Sequence, residues 1–300
     1  MSTTSRPYNR AKDFDRIGRF LIGTYAVPQG NWLHPRWEYM HFHPILDTSS
    51  LSKIGVWEER GEIVGVVNYE GDIGHAFFQL HPDHLNLKGE MLDYALKNLT
   101  RPVGSRRRLV AWINDFDAEM EALAAERGFR KDPQNADAQS SMQIPKPFPK
   151  IELPDGFRLQ SLADENDILK VHRIMHRGFN NNGEPPMDGP GGPDCRRLMQ
   201  SAPNFRRDLN IVAVAPDGSY VSYGGIWYQQ QHKICYVEPV ATDPEYRMMG
   251  LGKAVVMDSI RRCGELGATL AYVGSGQTFY KAMGFVTTFN RNPWIWMSRE

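Results

Sequence analysis

The chain is short of the residues that cross-link proteins or carry them through membranes. It has 3 cysteines in 300 residues, Cys195, Cys235 and Cys263, with no CxxC pair, so neither a disulfide framework nor a structural zinc site is expected. No stretch approaches the ~18 consecutive apolar residues of a membrane span, and the polar run Met1 to Asp15 has no signal-peptide core. The expected address is the cytoplasm, without a membrane partner. A surplus of charge of either sign is also missing. Lys plus Arg is 35 and Asp plus Glu is 35, and the two signs balance separately on either side of residue 150. A nucleic-acid-binding module normally carries a basic excess, so that partner is not expected, and Arg106-Arg107-Arg108 reads as a solvated turn before a strand. What remains is ordinary globular usage, 41% hydrophobic and 23% charged, at a length that suits two domains of about 100 to 200 residues each.

The main composition break runs from Ser140 to Pro154, where Pro145, Pro147, Pro149 and Pro154 interrupt any helical or strand period. This places domains at 1–145 and 155–300, with a Pro-rich linker at 146–154. The two halves repeat one order of elements. Each opens with an amphipathic helix, Asp13 to Tyr25 or Asp164 to Phe179. A hairpin follows: Lys53 to Trp57 and Glu62 to Asn68 around Arg60-Gly61, or Ile211 to Ala215 and Ser219 to Trp227 around Asp217-Gly218. Then come a strand (His75 to Leu80; Lys233 to Val240), a helix (Lys88 to Leu99; Gly252 to Leu266), a further strand (Leu109 to Ile113; Ala268 to Val273) and a short helix ending in Gly-Phe, at Gly128-Phe129 or Gly284-Phe285. This order predicts an α/β (α+β) fold used twice, each time a mixed sheet flanked by helices.

The most informative segment runs from Tyr236 to Lys253, a strand leading into a glycine turn and then a helix. Gly250 and Gly252 allow close backbone approach, and the first-turn N–H groups of the helix face an anion with the positive end of its dipole. A P-loop is excluded because Arg247 stands where its first glycine belongs and Ala254 follows Lys253; a Rossmann turn is excluded because Val255 replaces its third glycine. What is present is Arg247-x-x-Gly250-x-Gly252, preceded by Glu238-Pro-Val-Ala-Thr-Asp-Pro-Glu-Tyr-Arg and followed by Tyr280-Lys-Ala-Met-Gly284-Phe285. This combination resembles the acetyl-coenzyme A loop and the Tyr-x-x-x-Gly-Phe signature of the GNAT (N-acetyltransferase) superfamily. The resemblance is detailed over 151–300 and extends to 1–145 only in element order. The first half has His84-Leu-Asn-Leu-Lys-Gly89-Glu90 where the loop should be and Ala124 where the tyrosine should be. It thus reads as a tandem GNAT protein with a degenerate N-terminal half, each half carrying a mostly antiparallel sheet.

The resemblance implies acetyl transfer from acetyl-coenzyme A, as cosubstrate, to a primary amine by direct attack in the C-terminal domain. It makes Tyr280 the general acid and Glu238 the base or amine anchor. Pro239 beside Glu238 favours a splay or bulge in the strand. Val240 supplies an N–H to the oxyanion, Val240, Ala241 and Thr242 bind the pantetheine arm, and Arg247, Met248, Met249, Gly250, Leu251, Gly252 and Lys253 hold the pyrophosphate. Ser275 and Gln277 stand near a missing family asparagine as substitutes. Of the histidines, His41-x-His43 and His81-x-x-His84 lack a completing ligand, so no metal is expected; the aromatic run Trp32 to Phe42 suits core packing. The acceptor is a small molecule. Glu184, Asp188 and Asp194, in the loop Asn180 to Asp194, would with Glu238 suit a cationic amine, with Trp227 and Tyr228 beside it. The alternative function is a coenzyme A-binding sensor or scaffold without acetyl transfer, and either a monomer or a homodimer is compatible with the sequence.

Overall fold

The computed structural model describes residues 3–28 and 30–299. In chain order the elements begin with β1 (Thr4–Pro7), α1 (Arg10–Gly23), α2 (His34–Phe42), β2 (Gly55–Glu59), β3 (Glu62–Glu70), β4 (Asp72–Leu80) and α3 (Lys88–Asn98). They continue with β5 (Arg101–Val103), β6 (Arg106–Asn114), α4 (Ala118–Glu126), β7 (Arg130–Lys131), β8 (Asp137–Gln143), β9 (Arg158–Ser161), α5 (Ile168–Gly178) and α6 (Asp194–Gln200). The last are β10 (Ile211–Val214), β11 (Tyr220–Gln229), β12 (Ile234–Thr242), α7 (Leu251–Glu265), β13 (Leu270–Val273), α8 (Thr278–Lys281) and β14 (Val286–Met297).

Local chemistry sets the boundaries. Asn9 accepts a hydrogen bond from the Lys12 N–H, so α1 starts before the expected Asp13. Asp167 caps α5, while Asp164 turns back to the Ser161 N–H and hydroxyl, so this helix starts four residues later than expected. Arg60 and Gly61 both have positive φ, 52° and 81°, the pattern of a tight two-residue hairpin turn.

Two compact units form. The first comprises 1–41, 45–139 and 288–300, and the second 42–44 and 140–287. The expected boundary at 145 to 155 is therefore crossed twice. Residues Ser140 to Gln143, expected in the first domain within a stretch with no strand period, are strand and pair with β13 of the second unit; Arg291 to Met297, expected in the second domain, pair with β6 of the first. In the first unit β1, β2, β3 and β4 pair antiparallel in succession, β4 and β6 are parallel, and β6 and β14 antiparallel. In the second, β9, β10, β11 and β12 follow the same antiparallel succession, β12 and β13 are parallel, and β13 and β8 antiparallel. Each sheet is thus mixed, mostly antiparallel and helix-flanked.

In the second unit, strand alternation divides the core. Ile211 and Ala213 pack with Val255, Val256 and Ile260 of α7, whereas Val212 and Val214 face Val171, Ile174 and Met175 of α5. In the first unit, Trp32, Trp37 and Met40 are buried in the core, and the His41 ring lies between the Tyr8 hydroxyl and the Trp37 carbonyl. Cys235 and Cys263 are fully buried, and burial pushes the Cys235 thiol well above its usual range. Among the described residues no helix is long and apolar enough to cross a membrane, and no three His, Cys, Asp or Glu side chains are disposed to hold a metal ion.

Candidate active site

The site begins where two parallel strands part. β12 and β13 are in register only from Ile234 and Leu270 to Tyr236 and Tyr272; beyond that point β12 continues without this partner. At the same place β12 bulges, since Gly224 faces Val240 but Ile226 faces Val237, leaving Glu238 and Pro239 opposite Gly225 alone. A Cβ on Gly225 would stand 2.6 Å from Pro239 Cδ and 2.7 Å from the Glu238 carbonyl oxygen, so the bulge requires glycine there. Gly225→Ala is expected to cost about 1–3 kcal/mol of stability, as overpacking does, measured as a lower urea midpoint. An unchanged midpoint would mean that the bulge relaxes freely.

The register also fixes which way the backbone of β12 points. The Asp243 N–H donates to the Val221 carbonyl at 3.0 Å, which makes Ser222 and Thr242 a non-hydrogen-bonded pair. By alternation Gly224 and Val240 are another. Val240 and Thr242 therefore both turn their N–H and C=O away from β11, toward the edge that β13 has left.

The parted strands enclose a cleft of about 650 Å3. Glu238, Val240 and Thr242 line one side and Val273 and Ser275 the other, with Gly250, Leu251, Gly252 and Lys253 from the start of α7, and Tyr280 from α8. Arg247 and Met248 border it as well. Ala241 and Met249 do not. Ala241 projects to the opposite face, into the cluster with Val171 and Ile174, and Met249 lines an adjoining apolar cavity of about 500 Å3 with Ile151, Leu153, Met257 and Met283. Gly250 and Lys253 border both cavities. Phe179, Val237, Pro239, Tyr246 and Phe279 also line the cleft and were not expected from the sequence.

The two loop glycines serve different needs. Gly250 has φ 82°, which favours glycine, and a Cβ there would meet no atom within 4 Å. Gly252 is constrained by space, since its Cβ would come within 2.9 Å of Thr242 Oγ1. Met248, at φ 62°, is a non-glycine residue in the left-handed region, with its side chain fully in solvent. Because α7 begins at Leu251, the N–H groups of its first turn have no intrahelical acceptor and face this space with the positive end of the dipole.

Arg247, which borders the cleft, is also tied to the protein. It donates to the Gly178 carbonyl at 3.0 Å, Asn180 Oδ1 at 2.6 Å and the Thr242 carbonyl at 3.2 Å, tying the loop to the end of α5. Beside it, Asp243 is 1% exposed and accepts both Nε (2.5 Å) and Nη2 (3.0 Å) of Arg177. Burial pushes the Asp243 carboxyl upward, but Arg177 and the Glu245 N–H outweigh it and hold it below its ordinary range. The end of α5 closes on β12 at Gly178, where a Cβ would stand 2.6 Å from Ala241 Cβ.

Tyr280 is 9% exposed and packs edge-on against Phe279 and Phe285. Burial, with the charge of Glu238 adding to it, pushes its phenol up to about 12. The hydroxyl therefore holds its proton at neutral pH while bordering the cleft. Ser275 is committed locally, its hydroxyl accepting from the Gln277 N–H and its carbonyl from the Ser140 hydroxyl. The loop acids Glu184 and Asp194 do not gather at Glu238; they are exposed and lie against Arg173 and Arg197. Trp227 reaches the site through its Nε1, which donates to the Glu238 carbonyl at 3.0 Å, whereas the Tyr228 hydroxyl donates to Leu266.

In the first unit, the corresponding helix start is filled. Lys88 Nζ sits 2.8 Å from both Asp117 and Glu119, and Glu90, expected to face phosphate, instead accepts from Trp57 Nε1 at 2.8 Å. Ala124 is buried in the core. An anion at this place would meet carboxylates already paired with the only nearby lysine of the helix start.

Comparison with known proteins agrees with this geometry. Residues 182–285 match the Acetyltransferase (GNAT) family. No curated protein matches the chain. Among solved structures it is similar to a GCN5-related N-acetyltransferase from Sphaerobacter thermophilus, with TM-score 0.66 and 14% identity over 99% of this chain and 96% of that one. It is similar to a tandem GNAT protein from the clavulanic acid biosynthesis pathway, with TM-score 0.65 and 14% identity over 100% and 99%. An acetyltransferase from the GNAT family of Colwellia psychrerythraea has TM-score 0.59 and 11% identity over 99% and 100%. The family match thus falls within residues 182–285, and over its whole length the chain shares the fold of these structures.

Proposed function

We propose that the second unit is an N-acetyltransferase that moves the acetyl group of acetyl-coenzyme A to a primary amine by direct attack. The observation that carries this reading is the single cleft bordered by Glu238, Tyr280, the outward edge of β12 and the glycine-bearing start of α7. When bound, acetyl-coenzyme A supplies the acetyl group and a thiolate that leaves with its bonding electrons. The first-turn N–H groups of α7 suit its pyrophosphate, and the backbone edge at Val240 suits the pantetheine amides. The Val240 N–H is the oxyanion donor. Glu238 takes the proton that the amine loses as its bond to the acetyl carbon forms. Tyr280 gives its proton to the departing sulfur and recovers one from solvent.

Calorimetric titration with acetyl-coenzyme A, followed by thiol release across a panel of amines, tests the proposal. Binding and amine-dependent thiol release are expected. No heat at millimolar cofactor would contradict any coenzyme A role, and binding without turnover on any amine would favour a sensor or scaffold.

A further inference from the structure

The apolar cavity of about 500 Å3 beside the cleft takes no part in the proposed reaction. One wall is the first two turns of α7, through Lys253, Ala254 and Met257, and another is the turn after α8, through Ala282 and Met283. The third is Pro149 to Pro154, part of the segment expected to be only a linker. This segment is anchored, because Ile151 and Leu153 pack against the core of the second unit. The cavity joins the cleft at the glycine turn, since Gly250 and Lys253 border both.

Size, walls and charge point to one occupant. Acetyl-coenzyme A is larger than the drug-sized ligands that a pocket of ~300–1,000 Å3 encloses, and in the cleft it must share about 650 Å3 with the acceptor. The end of the cosubstrate beyond the pyrophosphate therefore needs a place next to Gly250 and Lys253. Met249, Met257 and Met283 line that place with polarisable thioethers, which make favourable contacts with aromatic rings. Its cations are Lys150 and Lys253, both exposed and, among the described residues, without an ion-pair partner. In the first unit, by contrast, the lysine at the corresponding helix start, Lys88, is held by Asp117 and Glu119. Glu152 is the cavity's one carboxylate, so two positive groups face one negative.

We infer that this cavity holds the adenosine end of acetyl-coenzyme A, with the adenine ring against the methionines and the 3′-phosphate at Lys150 and Lys253. Such a site rests on the acetyltransferase reading and makes the linker part of the cofactor-binding surface. The positive balance of the cavity suits the phosphate, and Glu152 can accept from the adenine amino group, a donor.

Calorimetric titration of the full chain with three ligands tests this: acetyl-coenzyme A, its dephospho form without the 3′-phosphate, and S-acetyl-4′-phosphopantetheine without the adenosine. Lys150→Met should raise the Kd of acetyl-coenzyme A about 5-fold, the upper range for an exposed charge pair, and leave that of the dephospho form unchanged. Ala282→Trp fills the cavity from an exposed position outside the cleft. It should weaken acetyl-coenzyme A roughly 10- to 100-fold, the scale of one buried aromatic group, and leave S-acetyl-4′-phosphopantetheine unchanged. Equal losses for all three ligands, or no loss in either variant, would overturn the adenosine site while leaving the acetyltransferase reading intact. A further measurement needs no acetyl donor: thermal unfolding of the wild-type chain with millimolar adenosine 3′,5′-bisphosphate against adenosine 5′-monophosphate. Greater stabilisation by the bisphosphate, reduced in Lys150→Met, supports the site even if acetyl-coenzyme A fails to bind, an outcome that would contradict only the acetyltransferase reading. No difference between the two nucleotides overturns the site.

Discussion

Tyr280→Phe is expected to lower turnover by roughly 10²-fold or more with little change in acetyl-coenzyme A affinity, the scale of a lost general acid. The substitution removes one hydroxyl from a ring held by Phe279 and Phe285, so the packing is retained and the proton donor is lost. The pH profile gives an independent check. Burial and Glu238 push the phenol up to about 12, so the donor form persists well beyond neutral pH. Any alkaline loss of kcat/KM that disappears in Tyr280→Phe should therefore lie near pH 12. Unchanged turnover would reassign Tyr280 to packing, and a Tyr280-dependent limb below pH 10 would contradict its buried setting.

Arg177→Met is expected to destabilise the second unit by about 3–5 kcal/mol, the cost of breaking a buried ion pair from one side. Asp243 would retain only the Glu245 N–H and Arg173, whose Nη1 is 3.8 Å away. The sign of the pH dependence follows. In the wild-type chain the Asp243 carboxyl is held low, so its contribution is present above the unfolded carboxyl's range and is lost as pH falls through the folded value. Without Arg177, burial is opposed less and the carboxyl rises, so protonation relieves the variant as pH falls. The gap between the two chains should narrow in acid, as measured by denaturant unfolding at pH 7 and pH 4. Adding Asp243→Asn to Arg177→Met should recover much of the loss, because the remaining buried charge is then gone. A gap that is constant with pH would mean that Asp243 is not the group left unpaired.

How much of this was legible in the sequence depends on how local each signal is. Gly250, Gly252 and Tyr280 stand in short motifs, and Glu238-Pro239 announces an irregular strand by the missing N–H alone. The repeat of elements showed two related sheets. What could not be read are partners distant in sequence: Arg247 bonds to Gly178 and Asn180, 69 and 67 residues away, a tie that no local motif announces. The strand Asp137–Gln143 is mostly polar and runs into prolines, so nothing in its period separated it from a linker. Pro293 similarly interrupts the strand period locally, although one strand, β14, pairs with β6 through that residue. Gly225 was readable in principle, since a Gly-Gly pair inside a strand marks a bulge or a close approach.

The central claim is that one unit of the two holds the cofactor. The stoichiometry of acetyl-coenzyme A binding to the full chain, by isothermal titration, tests it most directly. One site per chain is expected, and it should be lost in Gly252→Val, with far-ultraviolet circular dichroism used to check that the variant is folded. Two sites per chain, or a site that persists in folded Gly252→Val, would contradict it.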